Sequence, residues 1–225
     1  MILTLLLAAL GPLAVAVGLL VLKNAFLTFL LFHGFICLGI PIVDLVVLKK
    51  LKVSGVRESL GLVHHRGSLR TGVYSGIVFL VAIVVFFYAL RGRVIQETEI
   101  RSLLHSWQIQ KEHVFVLLIV MILANSVLEE IYWRGYILGR FRTHLKTAPA
   151  VILSSLFYAS YHLITTANLF SMQAGILFTS VIFCAGVFWG VMRARSGSLY
   201  GSITSHFLAD AAVMIIYVVF IQQHL

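Results

Sequence analysis

The sequence predicts an all-α membrane protein, a polytopic bundle of about seven transmembrane helices with a polar cavity among the C-terminal ones. Three observations lead there. Hydrophobic residues fill 60% of the 225 positions and charged residues only 11%, giving a mean hydropathy of +1.02, whereas a soluble domain carries about 25% charged residues. The apolar stretches run for about 20 residues with little charge, which is the length of a membrane-crossing helix and not the alternating pattern of a barrel strand. The few ionisable groups at apolar depth gather on the fourth, fifth and seventh stretches, where only convergence on one polar cavity relieves their desolvation.

The first stretch, about residues 2–22, lacks the basic n-region and small-residue cleavage pattern of a secretory signal and reads as a retained span. Pro12 and Gly18 are its points of bending. The second, about 25–48, contains His33, Pro41 and Asp44. His33 and Asp44 are close to three helical turns apart and so face one way. Asp44 lies beside Lys49 and Lys50 and reads as solvated or paired at the membrane surface, and His33 reads as a packed, hydrogen-bonded residue. The connection 49–71 carries Lys49, Lys50, Lys52, Arg57, Arg66 and Arg70, and its adjacent His64 and His65 read as solvated surface.

A third span covers about 72–90. Between Val94 and Lys111, Ile100, Leu103, Leu104 and Trp107 recur at helical spacing, the pattern of a helix lying in the interface. The fourth span runs from near His113 past Gly135 to Arg142, the fifth over about 149–166, the sixth over about 174–192 and the seventh over about 199–221. Placing the loops after spans two, four and six on one side collects eleven Lys and Arg there against five opposite, so the N-terminus is expected in the cytoplasm and the C-terminus outside. The formal charge of +9 is then topological: it flanks spans and meets anionic head groups, and nucleic acid is not an expected partner. Cys37 and Cys184 fall in apolar runs, as small buried side chains do. The chain reads as a single membrane domain, 1–225, with generic spans and an interfacial linker to about 111 and the chemistry in about 112–222.

That chemistry centres on Asn125-Ser126-Val127-Leu128-Glu129-Glu130-Ile131-Tyr132-Trp133-Arg134-Gly135. An ionised residue at bilayer depth costs at least about 2.5–3.5 kcal/mol, so it persists with a partner and a task. Glu130 and Arg134, spaced i,i+4 with the acid first, make a favourable pair on one helix face. Glu129, about 100° round the helix, is left over. The fifth span adds Tyr158 and His162, and the seventh adds His206 and Asp210, each pair at i,i+4. A hydrolytic site needs such groups together: Glu129 and His162 to activate a water, His206 to donate to the oxyanion that forms. Glu129, His162, His206 and Asp210 are equally ligands that zinc accepts when thiolates are absent, so a zinc site and metal-free glutamate chemistry stand level. Neither H-E-x-x-H nor G-x-S-x-G occurs.

The order Glu129-Glu130-x-x-x-Arg134, then Tyr158 and His162, then Gly197-Ser198-Leu199 leading to His206-x-x-x-Asp210, resembles the CAAX prenyl endopeptidase and bacteriocin-processing family, also called the Abi or CPBP family. The resemblance covers about 125–210. It implies an intramembrane endopeptidase with its site in a conical cavity among the helices. It makes Glu129 the water-activating glutamate with His162 assisting, gives Glu130 and Arg134 a supporting role, and has His206 and Asp210 stabilise the oxyanion. Tyr158 stands where the family commonly has Phe, and Asp210 where it often has Asn. An ionised carboxylate cannot donate a hydrogen bond, so Asp210 is expected to fix the tautomer of His206 or to ligate a metal. The implied partners are membrane lipids and a peptide or protein substrate, prenylated in the eukaryotic branch and tied to bacteriocin maturation or self-immunity among bacterial relatives. The implied location is a bacterial or archaeal plasma membrane. The competing reading is a non-enzymatic carrier, or an immunity or binding protein using the same buried charges; the inverted repeats and paired broken helices of many carriers are missing.

Overall fold

The structure, a computed structural model, describes residues 1–222. It contains the seven expected spans: α1 Ile2–Val21, α2 Ala25–Leu48, α4 Arg66–Leu90, α6 Lys111–Phe141, α7 Thr147–Leu169, α8 Met172–Ser196 and α9 Tyr200–Ile221. Two short helices lie between them, α3 Val53–Leu60 and α5 Glu97–Ser106. Large apolar side chains such as Val78, Val85, Phe86, Phe115 and Val181 cover the outside of the bundle. That is an outer face made for hydrocarbon, and the protein is an integral membrane protein.

The polar connections hold more helix than their composition suggests. α4 begins at Arg66, six residues before the expected Gly72, because the His65 ring accepts the backbone N–H of Ser68 at 2.9 Å and caps the helix. α3 ends at Gly61, whose φ of +80° suits glycine. α5 is the expected amphipathic helix, with Ile100 and Trp107 buried. It docks onto the α1–α2 turn: the Trp107 carbonyl accepts from the Ala25 N–H at 3.0 Å, and Asn24 donates to Gln108 at 2.8 Å.

Small residues set the closest crossings. A Cβ on Gly72 of α4 would meet the Gly201 carbonyl of α9 at 2.3 Å, and one on Gly76 would meet Leu208 at 2.6 Å, so the two helices touch backbone to backbone, as membrane helices do where bulk is missing. α7 lies along α8 as extensively as α4 along α9. The Gly197-Ser198-Leu199 motif fixes where α9 starts. Gly197 turns the chain at φ +70°, the Ser198 hydroxyl donates to the Val63 carbonyl at 2.7 Å, and the Leu199 N–H donates to the Gly61 carbonyl at 2.8 Å.

Asp44 is paired near the surface, accepting from Lys49 at 3.0 Å and from Arg140 of α6 at 2.9 Å. Cys37 is buried, but Cys184 is exposed on α8. The expectation of burial fails there because the surroundings of a membrane helix are themselves apolar and put no premium on hiding a thiol.

Candidate active site

In α6 the α-helical turn Ser126–Glu130 lies between two π-helical stretches, Val120–Asn125 and Ile131–Ile137. Such widened turns are frequent at functional sites, but they also occur in α1, α2 and α9 and do not by themselves mark one. Asn125, Glu129, Glu130 and Arg134, all from one helix, are buried in the interior. The Arg134–Glu130 pair forms at 2.8 Å with both side chains almost wholly buried. The guanidinium lies 4.0 Å over the Tyr158 ring and 5.2 Å from that of Trp189, a cation–π box that holds a charge out of water. Gly186 of α8 makes room for it, since a Cβ there would stand 3.0 Å from Tyr158 and 3.1 Å from the guanidinium.

Glu130 serves two partners with the same oxygen. Its Oε1 accepts from Arg134 and also from His206 Nδ1 at 3.2 Å, so Nδ1 carries the hydrogen and the ring cannot swing. Trp189 stacks on His206 at 4.4 Å and 17°, and its indole N–H donates to Ser205 at 3.0 Å. The ring contact expected of Asp210 is therefore made by Glu130 instead. Asp210 stands 3.6 Å from His206 Nε2, and its Oδ2 accepts from the Asn125 amide at 3.0 Å.

Glu129 is 2% exposed. Its Oε1 lies 3.6 Å from His33 Nε2 and its Oε2 lies 3.9 Å from His206 Nε2. His162 is half-buried; its Nδ1–H donates to the Tyr158 carbonyl at 3.0 Å and its ring packs 4.2 Å from Tyr161 and 4.7 Å from Tyr158. This leaves Nε2 with a free lone pair. No hydrogen bond or ion pair joins His162 to Glu129, whereas His206 faces the same Tyr158 ring at 6.2 Å. Six buried polar atoms here have no protein partner: Glu129 Oε2, Glu130 Oε2, Arg134 Nη2, His33 Nδ1, Trp133 Nε1 and the Tyr161 hydroxyl. Such atoms are scarce in folded proteins, and a cluster of them marks groups built to meet something other than the fold.

Among the described residues no group of three or more His, Cys, Asp or Glu side chains is placed to hold a metal ion. His206 Nδ1 is held by Glu130 and His162 Nδ1 by the Tyr158 carbonyl, and no hydrogen bond or ion pair joins His162 to Glu129. Two residues at the site were named in the sequence reading without a catalytic role. His33 of α2 faces Asn125 Oδ1 at 2.9 Å, and Asn125 bridges it to Asp210. Asn125 was detectable, since it precedes Glu129 by one helical turn. For His33 the sequence offered only a titratable ring in mid-span.

Residues 111–212 match the family model described as Type II CAAX prenyl endopeptidase Rce1-like. No curated protein and no solved structure matches the chain. The matched residues take in α6, α7, α8 and most of α9, and so Glu129, Glu130, Arg134, Tyr158, His162, His206 and Asp210; they leave out α1 to α5 and with them His33. The segment 111–212, which supplies all but one of the buried ionisable groups of this site, is thus the part of the chain that is similar to type II CAAX prenyl endopeptidases.

Proposed function

We propose that the protein hydrolyses a peptide bond within the membrane through a water activated by Glu129, with no metal in the reaction. The observation that carries this is a fully buried carboxylate whose Oε2 has no protein partner and points towards His206 Nε2. A water between Glu129 and His162 gives one hydrogen to Oε2 and the other as a hydrogen bond to the His162 Nε2 lone pair, which the Tyr158 carbonyl keeps free by holding Nδ1–H. Water oxygen attacks the substrate carbonyl as Glu129 takes its proton. The carbonyl π bond becomes an oxyanion, which faces His206 Nε2. Donation from Nε2 while Nδ1–H is held by Glu130 requires a proton on each ring nitrogen, and the carboxylates of Glu129, Glu130 and Asp210 supply the counter-charge. The tetrahedral species collapses, the C–N bond breaks, and the proton on Glu129 passes to the departing amine.

The substrate is a peptide or protein segment. The test is cleavage of a fluorogenic peptide library, half of it carrying a lipidated cysteine, by detergent-purified wild type and Glu129→Gln, with and without a chelator. We expect wild-type cleavage that survives the chelator and falls by about 10²–10⁴-fold in Glu129→Gln, the usual contribution of a positioned acid–base group. Full cleavage by that variant sinks the assignment. Cleavage lost to the chelator and restored by zinc replaces the metal-free mechanism with a metalloenzyme, and a bias towards the lipidated half defines the substrate further.

A further inference from the structure

We infer that His33 and Asn125 form a positioning relay that joins Asp210 to Glu129 and decides which oxygen of Glu129 is free to take the proton of water. The inference rests on the peptidase reading for its kinetic consequence but not for its chemistry. It begins at Asp210, whose Oδ2 accepts from the Asn125 amide nitrogen Nδ2 at 3.0 Å. That turns Asn125 Oδ1 towards His33 Nε2 at 2.9 Å, and an amide oxygen also only accepts, so Nε2 carries the ring hydrogen. The same N–H faces Glu129 Oε1 at 3.6 Å, beyond hydrogen-bond length but close enough to hold that oxygen electrostatically. Oε2, 3.9 Å from His206 Nε2, is buried and accepts no hydrogen bond from the protein.

Each link has a defined direction and the direction is set at one end. His33 donates to Asn125 and Asn125 donates to Asp210, so a residue on the last helix dictates the tautomer of a residue on the second. The packing supports a fixed ring. His33 is 6% exposed, wedged between Phe29 at 5.3 Å and Phe32 at 4.8 Å, with Nδ1 buried and unpaired. A histidine kept only for filling space would not need its one good hydrogen bond aimed at the residue one turn before Glu129. Asp210 is central to the argument: an asparagine there can both donate and accept, which would let Asn125 lie either way round and leave the His33 tautomer undetermined.

The experiment reads the tautomer directly, by long-range proton–nitrogen correlation spectra of the full chain with isotope-labelled histidine in detergent, the His33 signals being those lost in His33→Gln. Wild type is expected as the Nε2–H form. Asp210→Asn is expected to mix the two tautomers, and Asn125→Asp/Asp210→Asn to restore Nε2–H, because an aspartate at 125 accepts from both neighbours. An Nδ1–H ring in wild type, or one tautomer in all three proteins, overturns the relay. The kinetic arm uses the peptide found for wild type. His33→Leu is expected to lower kcat by about 10–100-fold with KM changed by no more than about twofold, the scale of losing a group that orients another, and His33→Gln, which keeps an N–H donor, to recover most of it. Wild-type kcat in His33→Leu overturns the positioning role. If wild type cleaves no peptide, the spectra still decide the relay, so its failure and that of the peptidase reading are told apart.

Discussion

Arg134 holds its charge inside the bundle through three contacts, to Glu130, Tyr158 and Trp189, and each has a separate consequence. Arg134→Met leaves buried Glu130 with His206 as its one remaining partner, and we expect about 3–5 kcal/mol of destabilisation, read as a lowered thermal midpoint in detergent. Arg134→Lys keeps the charge but loses the planar stacking and is expected to fall between wild type and Arg134→Met. Asp44→Asn, by contrast, removes two pairs near the surface, one to Lys49, which is half in solvent, and one to Arg140, and a change under about 2 kcal/mol is expected from the same measurement. At this scale the sequence was informative wherever an ionisable group interrupted an apolar run, which is why Glu129, Glu130, Arg134, His162, His206 and Asp210 stood out. His33 interrupts such a run as well. Its meaning stayed hidden because its partner is a neutral amide 92 residues away, and only the packing of α2 against α6 brings them together.

Helices were legible to the extent that hydrophobicity describes them. All seven spans fall where the apolar runs put them, but the first turn of α4 and the whole of α3 lie in the polar connection, and their helicity is bounded by the His65 cap and the Gly61 stop. No hydropathy signal marks the π-helical stretches that flank Ser126–Glu130, because a widened turn changes backbone pairing and not composition. The register of α9 against α4 follows from glycines whose purpose appears only once the helices cross. Gly76→Leu tests this. Its side chain would drive into Leu208 and the backbone of Ser205, next to His206. We expect a loss of about 1–3 kcal/mol from overpacking, with cleavage falling further than stability because His206 is displaced from Glu130. Full activity at reduced thermal stability would show that the site tolerates a shift of α9.

For the whole molecule, the excess of basic residues on the loops after α2, α6 and α8 predicts that those loops face the cytoplasm. Cysteines introduced at the exposed positions Glu58 and Gln96 should report it in intact cells. A membrane-impermeant thiol reagent is expected to label position 96 directly and position 58 only after permeabilisation, and the reverse pattern would invert the topology. The gathering of buried charged groups on the C-terminal helices was readable from the spacing of those charges. Their contact with α2 was not, because nothing local in α2 announces which neighbour it meets. The chain order of these helices also bears on how the protein is made. α2 is synthesised before α6 and α9 after it, so Glu129 and Glu130 enter the bilayer when His206 does not yet exist. Glu130 travels with Arg134 on its own helix, and Glu129 arrives beside a His33 already in place. During biogenesis, therefore, both acids have a shielding neighbour available before α9 emerges, and α9 completes the site without having to rescue it.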